Sequence, residues 1–175
     1  VESNVLVNRE EPTKYFPLFI YPSKRLRDKA KAVTDFGEAF QAVVDKMIAT
    51  MYRAQGVGLA ATQVGINQRL FVMDVGDQGN NGLQVLVNPE ISVSGPLVDG
   101  FEGCLSFPGA SESVKRPGWI CGRAQDRFGK EFLFWSGPRE NKVEGIQIST
   151  VEVIALQHEI DHLDGVLFVD KVSTL

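Results

Sequence analysis

The sequence predicts an α+β fold, in which mainly antiparallel sheets pack around a C-terminal helix. Strand-like segments follow one another between residues 69 and 135 with no helical segment between them, and this order favours antiparallel pairing. Helical patterns precede and follow this region, at residues 35–54 and 149–164. A chain of 175 residues is long enough for one domain with a sizeable core. We therefore expect an N-terminal arm at residues 1–16 and a single domain at residues 17–175.

The first predicted helix spans residues 35–54 and is followed by a glycine-rich segment at residues 56–63. Asp35 and Glu38 suit the first turn of this helix, because carboxylates are stabilised at a helix N-terminus. Its apolar face is formed by Phe36, Phe40, Val43, Val44, Met47, Ile48, Met51 and Tyr52. Strands are predicted at residues 69–75, 84–87, 91–93, 119–124 and 131–135, the last two forming a hairpin.

The second predicted helix begins after Ser149. Ser149 and Glu152 have the spacing of a capping box, and Gly165 is a typical residue just beyond a helix C-terminus. Between them, apolar residues and both histidines recur at helical spacing, which indicates a stripe that faces the interior. The members of this stripe are Val151, Ile154, Ala155, His158 and His162.

Residues 158–162 of this helix read H-E-x-x-H, and they contain the only two histidines of the chain. Histidines four residues apart lie on one helix face, so His158 and His162 can bind one metal ion. Glu159 lies between them and can act as a general base on a water molecule at the metal. The alternative is a chance match on an amphipathic helix. Two buried imidazoles one turn apart favour the metal, because each needs a hydrogen-bond partner or a ligand.

A catalytic metal site of this type has three protein ligands and one open position. Only 13 residues follow His162, and their acidic candidates are Asp164 and Asp170. Upstream, residues 102–106 read E-G-C-L-S, and Cys104 offers a thiolate beside a glycine that allows close backbone approach. The alternative for Cys104 is a small buried residue, which is also our interpretation of Cys121. With two cysteines, a disulfide framework is not indicated, and a single Cys104–Cys121 bridge is the weaker alternative.

The glycine-rich segment at residues 56–61 also fits G-x-G-x-x-A, a dinucleotide-binding pattern. That pattern requires a strand before the glycines and a helix that opens at them. Here a long amphipathic helix precedes the glycines and a strand follows them. The sequence therefore argues against a dinucleotide site.

Three motifs in this order resemble those of the peptide deformylase family. They are G-L-A-A-T-Q at residues 58–63, E-G-C-L-S at residues 102–106 and Q-H-E-I-D-H at residues 157–162. The resemblance covers roughly residues 20–170. It implies a peptide deformylase-like fold and a catalytic metallohydrolase domain. It also implies removal of the formyl group from the N-terminal formyl-methionine of nascent polypeptides, with release of formate.

The resemblance also assigns roles to individual residues. It implies Cys104, His158 and His162 as ligands of one divalent metal ion, typically Fe²⁺ as the native metal, with Zn²⁺, Ni²⁺ or Co²⁺ as substitutes. Glu159 is the implied catalytic base, and the Gln63 side chain and Leu105 backbone N–H are the implied oxyanion donors. Without the family, Gln63 would be interpreted as an exposed turn residue. The implied substrate-binding residues are Gly58, Val57, Val151, Ile154 and Ala155, for which plain core packing is the alternative.

The chain departs from the family at residues 111–117, where the order and spacing of the arginine and proline differ from many members. The sequence therefore leaves open which residues bind the second or third residue of the substrate. The chain also ends where many bacterial members carry a further helix, so the sequence does not define the expected transient ribosome contact. Arg116, Arg123 and Arg127 form no dense cluster, and we interpret them as solvated strand and turn residues.

Composition restricts the partners. The net charge of −4, with both signs mixed along the chain, argues against a nucleic-acid surface, and no run is apolar enough to span a bilayer. We expect a monomer that acts on formyl-Met nascent peptides. The expected location is the cytoplasm of a bacterium or of a virus-infected cell, or an organelle matrix if a targeting segment has been removed. Two other functions stay open, namely a metallo-endopeptidase and a non-catalytic, metal-stabilised or peptide-binding module.

Overall fold

The computed structural model of the protein describes residues 14–172 and the backbone of a short strand before them. Most of the predicted N-terminal arm, residues 1–16, therefore lies outside the described residues. The helices are α1 (Glu38–Arg53) and α2 (Thr150–Leu163). The strands are β1 (Val5–Leu6), β2 (Leu18–Phe19), β3 (Gly58–Ala60), β4 (Leu70–Met73), β5 (Gln84–Gly103), β6 (Ser111–Gln125), β7 (Glu131–Trp135) and β8 (Ile146–Gln147).

In the described part of the chain, the main sheet has the strand order β3-β4-β5-β6-β7-β8. All neighbours in it pair antiparallel except β7 and β8, which pair in parallel. A separate antiparallel pair joins β1 to β2. The predicted α+β class with a mainly antiparallel sheet and a C-terminal helix is confirmed. Within the described residues, neither helix has the length and hydropathy needed to cross a membrane.

The longest strands are longer than the sequence predicted. The segments predicted at residues 84–87 and 91–93 belong to one strand, β5, which continues to Gly103, and its partner β6 begins at Ser111. Two register shifts interrupt the β5–β6 pairing, between Val87 and Glu90 and between Ser94 and Leu97. Each irregularity breaks the period-two alternation on which a strand prediction depends, and the predicted strands therefore stopped short.

Helix α1 is shorter than predicted at both ends, because Gly37 is its N-cap and Ala54 its C-cap. Asp35 therefore lies outside the helix, where its Oδ1 accepts a hydrogen bond from the Gly37 N–H at 2.8 Å. The predicted apolar face packs in one core cluster with β3 and β4, but Tyr52 is an exception. The Tyr52 side chain is exposed, and its hydroxyl donates to Asp74 Oδ2 at 2.6 Å.

Helix α2 begins and ends as predicted. Ser149 Oγ accepts from the Glu152 N–H at 3.2 Å, and the Glu152 carboxylate accepts from the Ser149 N–H at 2.7 Å. Gly165 has a φ of 74°, a left-handed conformation that favours glycine. Val151 does not face the core as the predicted stripe required, since it is partly exposed at the edge of a cavity. Most of the remaining helix is buried, so the H-E-x-x-H segment is held inside the fold.

Candidate metal centre and catalytic cavity

Three predicted ligands meet in space. The Sγ of Cys104 and one ring nitrogen each of His158 and His162 lie within 4.8 Å of one another. Cys104 Sγ is 3.2 Å from His162 Nε2, which is in turn 3.2 Å from His158 Nε2. Tetrahedral bonds of about 2.0–2.3 Å to nitrogen and sulfur separate neighbouring ligand atoms by slightly more than 3 Å. These donor atoms therefore fit a four-coordinate divalent metal.

The two histidines are buried and differ in their surroundings. Burial lowers the pKa of His162 well below its ordinary value, which keeps the ring neutral as a metal ligand requires. Burial also lowers the pKa of His158, but hydrogen bonds with Cys104 and Glu102 outweigh this effect and raise it to about 10. The negative groups that stabilise a proton on His158 would also stabilise a bound cation.

Glu159 points into the same region from α2. Its side chain is buried, and burial raises the pKa of its carboxyl to about 7. Within the described residues, its Oε2 has no hydrogen-bond partner. Buried polar atoms are normally paired in proteins, so an unpaired carboxylate oxygen in a cavity indicates a position for a water or a ligand.

The strand β3 passes next to Glu159 at Gly58. A methyl group on the Gly58 Cα would lie 2.9 Å from the carboxyl carbon of Glu159 and would overlap its Oε1. Only glycine therefore leaves this carboxylate in place.

Gln63 lies in the short 3₁₀ turn after β3. It is buried, so the interpretation as an exposed turn residue is wrong. Its Oε1 accepts from the Ala60 N–H at 2.9 Å, which fixes the amide group. Its Nε2 then points to Ser106 Oγ at 3.1 Å and to Cys104 Sγ at 3.6 Å. The amide N–H groups are thus held as donors at the candidate metal centre.

A cavity of about 770 Å³ opens onto these groups. Its walls come from the loop before β3, the end of β5 with the turn that follows it, and the first turns of α2. The cavity contains two of the candidate ligands, Cys104 and His158, while His162 lies behind them. The other predicted site residues in its lining are Val57, Gly58, Gln63, Leu105, Val151, Ile154, Ala155 and Glu159.

The sequence matches the family model of polypeptide deformylase over residues 15–175. The chain belongs to the polypeptide deformylase family. A peptide deformylase of Alkalilimnicola ehrlichii is 46% identical over 158 residues, which are 90% of this chain and 82% of the relative. One of Caldicellulosiruptor bescii is 46% identical over 87% of this chain and 82% of the relative.

Solved peptide deformylase structures share the fold. The crystal structure from Thermotoga maritima has a TM-score of 0.78 at 38% identity and covers 91% of this chain and 99% of that one. The structure from Synechococcus elongatus, in complex with actinonin, has a TM-score of 0.78 at 34% identity and covers 97% and 83%. The family relationship therefore extends over nearly the whole described chain.

The residues behind the candidate ligands were missed by sequence reasoning. Arg116 is almost fully buried, so the interpretation of it as a solvated strand residue is wrong. Its Nε donates to Glu102 Oε1, and its Nη2 donates to Glu102 Oε2 at 2.9 Å. The third nitrogen, Nη1, donates to Asp161 Oδ2 at 2.9 Å. Glu102 also accepts from His158 Nδ1 at 2.8 Å. Arg116 therefore connects the strand before Cys104 to the helix that carries both histidines.

The charges in this network stabilise one another. Burial raises the pKa of Glu102, but the hydrogen bonds from Arg116 and His158 outweigh it and lower the pKa below its ordinary value. Arg123, by contrast, pairs with Glu90 at 2.9 Å on the surface, as a solvated strand residue should. The sequence feature that could have drawn attention to Arg116 was its place in the segment at residues 111–117, which differs from many family members. A single sequence does not show which acidic residue would pair with it.

Both cysteines are free thiols, and the described residues contain no Cys104–Cys121 bridge. Cys104 is partly exposed towards the cavity, whereas Cys121 lies in β6, paired with Ser92 and Trp135 on the neighbouring strands. Cys104 lies beside the histidines, whereas Cys121 lies in the sheet and is partly rather than fully buried, so its interpretation as a buried residue holds only in part.

Proposed function

We propose that this chain is a metal-dependent hydrolase that removes the formyl group from formyl-methionine at the N-terminus of nascent polypeptides. The observation that carries the proposal is the convergence of Cys104, His158 and His162 at the cavity where Oε2 of Glu159 is unpaired, in a chain of the polypeptide deformylase family. A non-catalytic metal site has no need for a general base, and the buried Glu159 therefore supports catalysis.

Cys104, His158 and His162 are the proposed ligands of one divalent metal ion. When bound, such an ion polarises the formamide carbonyl and lowers the pKa of a water molecule towards ~7. Fe²⁺ is our proposal for the native metal, with Zn²⁺, Ni²⁺ or Co²⁺ as substitutes, because a set of one thiolate and two imidazoles suits several of these ions.

Glu159 is the proposed proton carrier. Its carboxylate takes a proton from the attacking water and delivers it to the methionine nitrogen as the C–N bond breaks. The products are formate and a free N-terminal amine. The burial of Glu159 and the close approach of Gly58 keep this carboxylate in one position during both transfers.

Gln63 and Leu105 are the proposed oxyanion donors. The amide of Gln63 is oriented by its bond from Ala60, and Leu105, the residue after Cys104, lines the cavity. A donor aimed at the developing oxyanion typically lowers the barrier by about 2.7–4 kcal/mol.

The methionine side chain is proposed to bind against Val57, Val151, Ile154 and Ala155, with Gly58 pairing to the peptide backbone. Val57 and Val151 are partly exposed in the cavity, as residues that await an apolar ligand would be. A methyl group at Gly100 would lie 2.8 Å from Ile154 Cγ2, so glycine at position 100 leaves the Ile154 side chain in place.

Formylated nascent chains are the proposed partners. The protein is proposed to act on them as a monomer that contacts the ribosome transiently. The proposed location is the compartment where such chains are made, either a bacterial or virus-infected cytoplasm or an organelle matrix.

The deciding experiment measures formate release from formyl-Met-Ala-Ser by protein purified anaerobically, together with its metal content. We expect turnover that Glu159→Gln abolishes without loss of metal, because glutamine cannot carry the proton. Glu144→Gln changes an exposed carboxylate outside the cavity and serves as the control. Cleavage of internal bonds in unformylated peptides without formate release would instead show an endopeptidase.

A further inference from the structure

Phe101 is the most exposed large apolar side chain in the described part of the chain, at 79%. A scattered exposed apolar residue is common on protein surfaces and needs no explanation. Phe128, which is 74% exposed in the turn between β6 and β7, is such a residue. Phe101 differs because it lines the cavity that contains Cys104 and Glu159.

Successive side chains of β5 point to opposite faces of the sheet. Gly100 and Glu102 face α2, since a methyl group at Gly100 would meet Ile154 and Glu102 contacts His158. Phe101 therefore projects from the opposite face. Its neighbour on β6 is Ser113, a small residue that leaves the aromatic ring largely uncovered.

One edge of β5 beside Phe101 is open. Among the described residues, β4 pairs with β5 only from Gln84 to Val87, so the edge from Val98 to Gly103 faces no other strand. An extended peptide can add to such an edge through backbone hydrogen bonds, and its side chains then alternate between the two faces of the sheet.

We propose that Phe101 is a specificity-determining residue that selects an apolar side chain at the second residue of the substrate. This inference rests on the proposed function, in which the N-terminal methionine binds on the α2 side against Val151 and Ile154. Because side chains alternate, the second residue then projects to the side of Phe101, whereas the third projects back towards α2. An apolar second residue covers the exposed ring, and a serine or charged residue does not.

The test compares kcat/KM for formate release from formyl-Met-Phe-Ser, formyl-Met-Ser-Ser and formyl-Met-Ser-Phe. We expect the native enzyme to prefer phenylalanine at the second residue by about fivefold, the effect of covering roughly 40 Å² of apolar surface. Phenylalanine at the third residue should give no comparable gain. Phe101→Ser should reduce the preference to about one, and Phe101→Leu should retain part of it.

Phe128→Ser is the matched control, since it removes an equally exposed ring outside the cavity lining and should leave the preference unchanged. Equal kcat/KM values for all three peptides in the native enzyme overturn the proposal for Phe101. So does a preference for phenylalanine that persists in Phe101→Ser, or a preference that is larger at the third residue than at the second. Absence of formate release from every peptide is a different outcome, because it contradicts the proposed function itself. Should Phe101→Ser fail to fold, Phe101→Leu still decides the question.

Discussion

Glu102 accepts a hydrogen bond from Nδ1 of His158 at 2.8 Å, and this contact directs Nε2 of the same ring towards Cys104 and His162. A ring held in this way is preoriented as a ligand and more basic. We expect Glu102→Gln to weaken metal binding by about 10- to 100-fold, the usual effect of removing such a partner. A glutamine can accept from His158 with its oxygen, but its NH₂ group then faces the Arg116 guanidinium.

The metal affinity of Glu102→Gln is measured by competition with a chelator. Glu90→Gln is the matched control, because Glu90 pairs with Arg123 where both side chains are more than half exposed. Native affinity in Glu102→Gln would show that the contact with His158 does not orient the ligand.

Arg116 should contribute strongly to the stability of the fold. Its side chain is 2% exposed and pairs with Glu102, whose side chain is 4% exposed. Arg116→Met leaves a buried carboxylate without its cation, and such a change typically lowers the free energy of unfolding by about 3–5 kcal/mol. Denaturant-induced unfolding of the metal-loaded protein measures the loss. Arg123→Met, which breaks an exposed and solvent-screened pair, should lower the free energy of unfolding far less, and similar losses in both variants would contradict the prediction.

The parts of the site that depend on short sequence spacing were predictable. Helix spacing placed His158 and His162 on one face, and the capping box set the start of α2. The network behind them was not predictable, because its hydrogen bonds join Arg116 to residues 14 and 45 positions away. Which residues face one another across that distance depends on the register of β5 and β6.

The register itself was hidden by local irregularities. Asn88 has a φ of 51°, in the left-handed region that asparagine tolerates better than most residues with a side chain. Its side chain bonds with the backbone N–H and C=O of Val33, at 2.8 and 2.9 Å. The irregularity in β5 is thus stabilised by a segment 55 residues away. A strand prediction that uses local alternation alone stops at such a position.

Gly58 should be intolerant of even a methyl group. Its backbone conformation suits alanine, but the added Cβ would displace the carboxylate of Glu159. Displacement of a catalytic group by about 1 Å can cost roughly 100-fold in rate, so we expect Gly58→Ala to lose formate release by about this factor while metal content stays unchanged. Gly37→Ala, at the exposed N-cap of α1, should keep native turnover. Full activity in Gly58→Ala would contradict the role of the close contact.

Stability should depend on pH through Glu152. Burial raises the pKa of its carboxyl, but hydrogen bonds from Ser149, Asn80 and Asn81 outweigh burial and lower it below its ordinary value. The unfolded state therefore binds the proton more tightly. The stabilisation is fully present above the unfolded pKa of about 4.3 and is lost as pH falls through the folded pKa.

Glu152→Gln isolates this contribution. Unfolding free energies of the native protein and the variant should differ most between pH 6 and 7, chosen as roughly two units above the unfolded pKa, and should converge as the pH falls below ~4. A difference that is constant over this range would show that the carboxylate acts through shape and hydrogen bonding alone.

Cys104 supplies the thiolate of the proposed metal site, and its replacement should change the metal. A serine hydroxyl is a weaker and harder donor than a thiolate, so Cys104→Ser should lower the metal content or change the preferred metal. Cys121→Ser is a matched control, because Cys121 is the second free thiol and lies in the sheet rather than beside the histidines. Metal analysis of both variants after anaerobic purification decides the question. Native metal content and metal preference in Cys104→Ser would show that Cys104 is a packing residue and not the third metal ligand.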